Sequence, residues 1–173
     1  MVESLTREIK MPQLIAKLNV HKAKRISPCS APRGILATLF GKTEPTKPAE
    51  KAEFDFSWQL NILMHSRDGR CNPATMNINE TNLGVVIQRF SDAYNKLMSL
   101  KEQGISDEYS VSISSYEPII SVTSKSATVT MTSGTRYIHK IYSAEDITKI
   151  VNELNGIKNK VADMTTILSE TST

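Results

Sequence analysis

The stretch 54-FDFSWQLNILM-64 decides the fold, because apolar and polar residues alternate along it. Its alternating apolar residues are Phe54, Phe56, Trp58, Leu60, Ile62 and Met64. A period of two places them all on one face of a β-strand, and a second layer must cover that face. Asp68-Gly69 just beyond is a turn signal that ends the strand. We therefore expect a sheet with one buried face.

Two segments have the spacing of amphipathic helices. Residues 81–103 carry apolar side chains at intervals of three and four, and Gly104 follows where a helix commonly ends. A second helix is predicted to begin at Ser143, because Asp146 is placed to complete a weaker variant of the capping box. Its apolar positions continue to Leu168, and Gly156 interrupts them. Each helix offers an apolar stripe to the sheet.

Between the helices, residues 108–142 contain short β-rich runs separated by turn signals. Their serines and threonines are typical of a sheet with one solvated face. The connections are short enough for antiparallel pairing. The predicted fold class is therefore α+β, with an antiparallel sheet of four to five strands and two helices packed on one face.

The N-terminal part of the chain has a different composition. Residues 1–52 hold five of the seven prolines and show only weak periodicity. We expect residues 1–52 to form a flexible basic arm and linker, and residues 53–168 to form the α+β domain. Residues 169–173 are expected to be a disordered tail.

Charge is unevenly distributed along the chain. The total is 21 − 18 = +3, but residues 1–51 hold ten Lys and Arg against four acidic residues, so the remainder carries −3. Five cations are predicted to bind a membrane or a nucleocapsid: Lys17, Lys22, Lys24, Arg25 and Arg33. Their charge favours either lipid headgroups or nucleic-acid phosphates as the partner and does not separate the two.

An apolar island, 34-GILATLF-40, interrupts the polar arm. Ile35, Leu36, Leu39 and Phe40 are predicted to mediate self-association, because an exposed apolar cluster in a flexible segment commonly has a docking surface. That surface is a groove on a neighbouring copy or a bilayer interface. Packing of the island onto its own domain is a third option.

The chemistry-bearing residues do not form a recognisable catalytic motif. The histidines His21, His65 and His139 lie far apart in the chain, without a nucleophile elbow beside them. The glycines are scattered singly, so no phosphate loop is present in the sequence. Cys29 and Cys71 lack further ligands at metal spacing. We expect no enzyme activity, no cofactor, no metal and no small-molecule substrate.

The sequence also bears on the compartment. No run approaches the roughly 18 apolar residues of a membrane span, and the first residues lack the apolar core of a signal peptide. We expect a chain that is neither secreted nor threaded through a bilayer. Both cysteines are then expected to be reduced thiols.

In the order and composition of its segments, the chain resembles the matrix protein of rhabdoviruses, of the plant cytorhabdovirus type. A proline-containing basic arm leads into the aromatic strand 54-FDFSWQLNILMHS-66, and a helix is entered through 82-NLGVVIQRFSDAYNKL-97. The threonine-rich 127-ATVTMTSGT-135 and a closing helix follow. The resemblance covers residues 54–160.

The resemblance implies a structural protein of the virion that self-assembles and links the nucleocapsid to an anionic membrane during assembly and budding. Residues 17–25 would contact lipid headgroups or ribonucleoprotein, and residues 35–40 would join one protomer to the next. The expected location is beneath the envelope, in the host cytoplasm and at the inner face of host membranes. The late-budding motifs Pro-Pro-x-Tyr and Pro-Thr-Ala-Pro are missing, and 44-EPTKP-48 departs from both.

Two other functions remain open from the sequence. One is a nucleic-acid-binding protein, of the viral nucleoprotein or silencing-suppressor type, without a membrane role. The other is a host adaptor domain without assembly behaviour. Steep salt dependence of RNA binding is expected for the first, and a monomer at high concentration for the second.

Overall fold

The fold is given by a computed structural model, which describes residues 3–25 and 53–171. The strands are β1 (Glu3–Met11), β2 (Leu14–Lys24), β3 (Phe54–Met64), β4 (Ala74–Ile78), β5 (Val111–Ser114), β6 (Ile119–Val122), β7 (Ala127–Ser133) and β8 (Arg136–Tyr142). The helices are α1 (Leu83–Glu102), α2 (Ala144–Asn155) and α3 (Ile157–Glu170). Strands β1 to β4 form one antiparallel sheet in chain order, here sheet A, and β5 to β8 form a second, sheet B.

The strand predicted from alternation is confirmed as β3, which pairs with β2 on one side and β4 on the other. Leu60 and Ile62 in its second half are fully buried. Its first half is different, since Phe54 is 38% exposed and Phe56 is 37% exposed. The expectation that the whole apolar face is covered is therefore wrong at the N-terminal end of β3.

The predicted flexible arm is wrong for residues 3–24, which form the hairpin β1–β2 and belong to sheet A. In β2 the buried residues are Leu14, Ala16, Leu18, Val20 and Lys22. Because Ala16 is small and Lys22 is charged, the pattern of large apolar residues alone does not show the period of two. Pro12 does not break a helix here, because it occupies the turn before Gln13, whose φ is +54°. Residues 26–52 of the predicted arm and linker lie outside the described residues.

The two sheets share one core with the helices. Helix α1 packs on β5, β6 and β7 and against α2, whereas α3 packs on β1 and β2. Strand β4 lies beside β7 and so connects the sheets. The α+β class with antiparallel strands is confirmed, but the described residues form eight strands in two sheets. The predicted count of four to five was too low because β1, β2 and β4 were not recognised.

The sequence patterns predicted the helices more accurately than they predicted the strands. Ser143 Oγ accepts a hydrogen bond from the backbone N–H of Asp146 at 3.2 Å, and Asp146 Oδ2 accepts one from the backbone N–H of Ser143 at 3.4 Å, so the capping box is confirmed. Helices α2 and α3 form one bent helix with Gly156 at the bend. The bent helix continues to Glu170, so the predicted disordered tail 169–173 is wrong at its first two positions.

A first test concerns the packing of β2. Leu18→Ala removes a side chain that is 0% exposed, and we expect it to lower the free energy of unfolding by about 2–5 kcal/mol. The matched control is Lys17→Ala, whose side chain points to solvent and should change stability by less than ~0.5 kcal/mol. Urea unfolding measures both variants. Equally small losses would mean that β2 is not part of the core.

Tyr142 ends β8 as a fully buried ring. Its hydroxyl is shielded from water and has no hydrogen-bond partner among the described residues. Burial raises the pKa of Tyr142, and the nearby carboxylate of Asp146 raises it further. The unfolded chain releases this proton near pH ~10, whereas the folded protein retains it. Stability therefore falls as pH rises above about 10.

The variant Tyr142→Phe tests this linkage. We expect it to be as stable as the parent protein at neutral pH, because it removes a buried hydroxyl without a described partner. Its loss of stability above pH ~10 should be smaller than that of the parent. Urea unfolding across this pH range measures the difference, and Tyr109→Phe, at a ring that is 57% exposed, is the control. The prediction fails if both variants lose stability equally.

Candidate anion-binding groove

The predicted cationic stretch does not form one surface. Successive residues of a strand point to opposite faces, so β2 directs Lys17 to the outer face of sheet A and Lys24 to the face that packs on the helices. Both side chains are exposed, but they lie on different sides of the sheet. The positive charge of Lys17 is also offset by Glu8 of β1, which is its cross-strand partner.

Lys22 is buried, with only 2% of its surface exposed. Its Nζ donates to the carbonyl oxygen of Leu168 at 2.8 Å and lies 3.3 Å from Glu3 Oε2. The same ammonium lies 4.3 Å from the centroid of the Phe54 ring. Lys22 thus joins β1, β3 and the end of α3. This placement contradicts its predicted role in binding a membrane or nucleocapsid.

Arg25 is exposed, but acidic neighbours compensate its charge. Its guanidinium donates to Glu53 Oε2 at 3.0 Å, and Nε lies 3.8 Å from Asp55 Oδ1. The hydrogen bond to Glu53 raises the pKa of Arg25. Together, the described members of the predicted cluster present little surplus positive charge.

The remaining predicted site residues lie outside the described residues. These are Arg33 of the cationic set and the self-association set Ile35, Leu36, Leu39 and Phe40. Their roles stay predictions.

The structure instead brings basic residues together at the far end of β3. The connection from β3 to β4 contributes Ser66, Arg67, Asp68 and Cys71, and β8 contributes residues 136–139. Between them lies an open cavity of about 480 Å³. We refer to this cavity and its walls as the basic groove.

The first wall is shaped by the turn at Asp68-Gly69. Gly69 has a φ of +64°, in the left-handed region that glycine tolerates best. The backbone N–H of Arg70 donates to Asp68 Oδ1 at 3.2 Å, and this bond is the main cause of the lowered pKa of Asp68. The positive charge of Arg136 contributes in the same direction. The turn therefore carries an ionised carboxylate between Arg67 and Arg70.

The second wall is β8. Tyr137 and His139 are two residues apart on the same face of the strand, with their rings inclined by 16° and their centroids 6.5 Å apart. His139 Nδ1 is hydrogen-bonded to Thr130 Oγ1 at 2.8 Å, and this bond orients the imidazole. Ser133 Oγ, at the end of the neighbouring strand β7, donates to the carbonyl of Asn72 at 2.8 Å and so ties sheet B to the connection between β3 and β4.

The basic groove is suited to binding anions. Arg67 and Arg136 line the cavity and bring two positive charges to it. Arg70 does not line the cavity, and its Nε lies 3.9 Å from Asp68 Oδ2, so it offsets the negative charge of Asp68. Guanidinium groups bind phosphate oxygens with paired, charge-assisted hydrogen bonds. The exposed ring of Tyr137 adds a flat apolar surface beside them.

The groove was missed in the sequence for a simple reason. Arg67 and Arg70 flank a turn signal, and Arg136 begins a strand 66 residues later. Neither the two arginines at the turn nor Arg136 indicates a binding site on its own, because turns commonly carry charged residues. The sequence feature that could have indicated the groove is the pair of arginines around Asp68-Gly69. It was overlooked because the C-terminal part of the chain as a whole carries a net negative charge.

Within residues 3–25 and 53–171, no cluster of three or more His, Cys, Asp or Glu side chains is arranged to hold a metal ion. No helix in this part of the chain is long and apolar enough to cross a membrane.

A second exposed surface lies at the opposite end of β3. Phe54 and Phe56 point to the same face, and Lys24 is the cross-strand partner of Phe54. Both rings are more than one third exposed. We refer to Phe54, Phe56 and Lys24 as the aromatic patch.

No family model, no curated protein and no solved structure matches this chain. The resemblance to rhabdovirus matrix proteins therefore stays a prediction, and the function must be argued from the surfaces themselves.

Proposed function

We propose that the protein is a non-enzymatic structural protein of the matrix type, which self-associates and links a ribonucleoprotein to an anionic membrane. The observation that carries the proposal is the basic groove, with Arg67 and Arg136 facing one open cavity. In this proposal the groove binds the phosphates of the nucleocapsid RNA.

The charge of the described residues supports the groove as the binding surface. They contain seventeen Lys and Arg and sixteen Asp and Glu, a balance of 17 − 16 = +1. Against this nearly neutral background, the arginines around one turn form a local excess. A polyanion is attracted to a local field of this kind, with affinity that falls as salt rises.

The aromatic patch supports the membrane half of the proposal. Exposed phenylalanine rings beside a lysine can insert shallowly at a bilayer interface while the ammonium contacts headgroups. Phe54 and Met64 are the two ends of β3, which is about 33 Å long at ~3.3 Å per residue. The two surfaces thus lie at opposite ends of one rigid strand, which suits a protein that links two partners.

The alternative is a nucleic-acid-binding protein without a membrane role. The same groove would serve it, because phosphate binding does not depend on a membrane. The two functions differ in whether the aromatic patch binds a membrane. Self-association through residues 35–40 belongs to the matrix-type function and stays a prediction.

The groove is tested by RNA binding at several salt concentrations. We expect Arg67→Gln with Arg136→Gln to weaken binding of single-stranded RNA and to reduce the slope of log K against log salt by about 1.4, since each lost phosphate contact contributes ~0.7. Fluorescence anisotropy measures both. The matched control is Lys101→Gln with Lys158→Gln, at exposed positions of α1 and α3. An unchanged slope in the arginine variant would contradict RNA binding in the groove.

The aromatic patch is tested by flotation with anionic and neutral vesicles. We expect Phe54→Ser with Phe56→Ser to reduce partition onto anionic vesicles roughly ten-fold or more, because two rings no longer insert. Tyr109→Ser with Tyr116→Ser is the control, at aromatic rings that are also exposed. Circular dichroism establishes that the variants fold. If the parent protein does not float with anionic vesicles, the alternative function is favoured.

A further inference from the structure

We propose that the basic groove selects single-stranded RNA, with Tyr137 and His139 stacking on unpaired bases while Arg67 and Arg136 hold the adjoining phosphates. This inference rests on the proposed binding of RNA and names the form of RNA that is bound.

The exposed ring of Tyr137 is the first observation. It is 62% exposed although it lies within β8, where a large side chain is usually packed against neighbours. The same ring lines the groove together with Arg67 and Arg136. A ring face beside guanidinium groups is the combination that binds a nucleotide, because the ring takes the base and the guanidinium takes the phosphate.

His139 extends the aromatic surface and is held in place. Its ring is nearly parallel to that of Tyr137, and the hydrogen bond with Thr130 restricts its rotation. Thr130 is itself 92% buried, so the anchor is part of the sheet. Because the imidazole is already held in place, a ligand that stacks on it loses little binding free energy to the ordering of side chains.

The surface continues along the strand beyond the groove. Ile141 follows on the same face of β8 and is 64% exposed. Opposite these three residues on β7 lie the small side chains of Thr128, Thr130 and Thr132. Thr130 is buried beneath this surface, and the hydroxyl of Thr132 donates to the carboxylate of Glu117. Arg136 directly precedes Tyr137 and points to the opposite face of β8, but both residues line the cavity at this end of the strand. An extended polynucleotide can therefore run along β8 from the cavity toward Ile141.

Duplex RNA does not fit this arrangement. In an A-form helix both faces of a base are covered by neighbouring base pairs, so an aromatic ring cannot stack on them. A duplex can contact only the arginines through its backbone. The aromatic residues thus contribute to binding only when the bases are unpaired.

Asp68 supplies a hydrogen-bond acceptor within the groove. Its lowered pKa keeps the carboxylate ionised within the groove. A carboxylate accepts hydrogen bonds from the amino groups of an unpaired base. The groove therefore has donors for phosphate and an acceptor for a base edge.

The experiment measures three ligands by fluorescence anisotropy or flotation: a single-stranded RNA of about twelve nucleotides, a duplex of equal length and anionic vesicles. The full chain is compared with Tyr137→Ala, Tyr137→Phe and the control Tyr109→Ala. We expect Tyr137→Ala to weaken single-strand binding by roughly 5- to 150-fold and to leave duplex and vesicle binding unchanged. Tyr137→Phe should retain binding, because the ring stays. Tyr109→Ala should behave like the parent.

The outcomes separate this inference from the proposed function. If Tyr137→Ala binds single strands like the parent, or weakens single-strand and duplex binding equally, the inference is overturned, while RNA binding through the arginines survives. If RNA does not bind but vesicle binding depends on Arg67 and Arg136, the groove is a lipid site and both fail.

Cys71 provides an independent measurement, since its thiol lines the groove. In a Cys29→Ser background, Cys71 is the remaining cysteine, and its alkylation rate reports on access to the groove. We expect the single-stranded RNA to slow alkylation and Tyr137→Ala to reduce this protection at equal RNA concentration. Full alkylation at saturating RNA would place the bound RNA elsewhere and overturn the inference.

Discussion

The pairing of β2 with both of its neighbours is the constraint on which the structure depends. Strand β2 is hydrogen-bonded to β1 along one edge and to β3 along the other, and its apolar side chains lie under α3. Lys22 near its end binds Glu3 and the carbonyl of Leu168, so the first strand and the last helix meet there. Without β2, strand β1 has no partner and β3 becomes an exposed edge. The N-terminal segment is therefore part of the folded core.

The same alternation that builds β2 also disperses its charges. Lys17 and Lys24 are directed to opposite faces of sheet A, and Lys22 is directed into the interior. A surplus of positive charge can gather more easily where the chain leaves the sheets, because a turn does not alternate between faces. The arginines around Asp68-Gly69 are placed in this way, and β8 adds Arg136 to them. The basic groove is thus a consequence of where the strands end.

Local patterns predicted the parts of the fold whose cause is local. Strand β3, helix α1 and the capping box at Ser143 each follow from spacing within about twenty residues, and each is present. The hairpin β1–β2 was missed because Ala16 and Lys22 occupy buried positions, and Pro12 read as a breaker although it forms the turn. Burial of Lys22 depends on Glu3 and Leu168, which lie 19 and 146 residues away. A reading of neighbouring residues cannot detect such partners.

The sequence by itself determined the α+β class, the antiparallel pairing and the boundaries of the main helices, because hydrophobic period and capping chemistry act over short distances. It also determined that the chain carries surplus lysine and arginine toward its N-terminus. Only the tertiary structure decided which of those charges reach solvent and that a groove forms between residues 66–71 and 136–139. The physical reason is that a binding surface depends on the distance between side chains in space, and sheet pairing sets that distance across long separations in the chain.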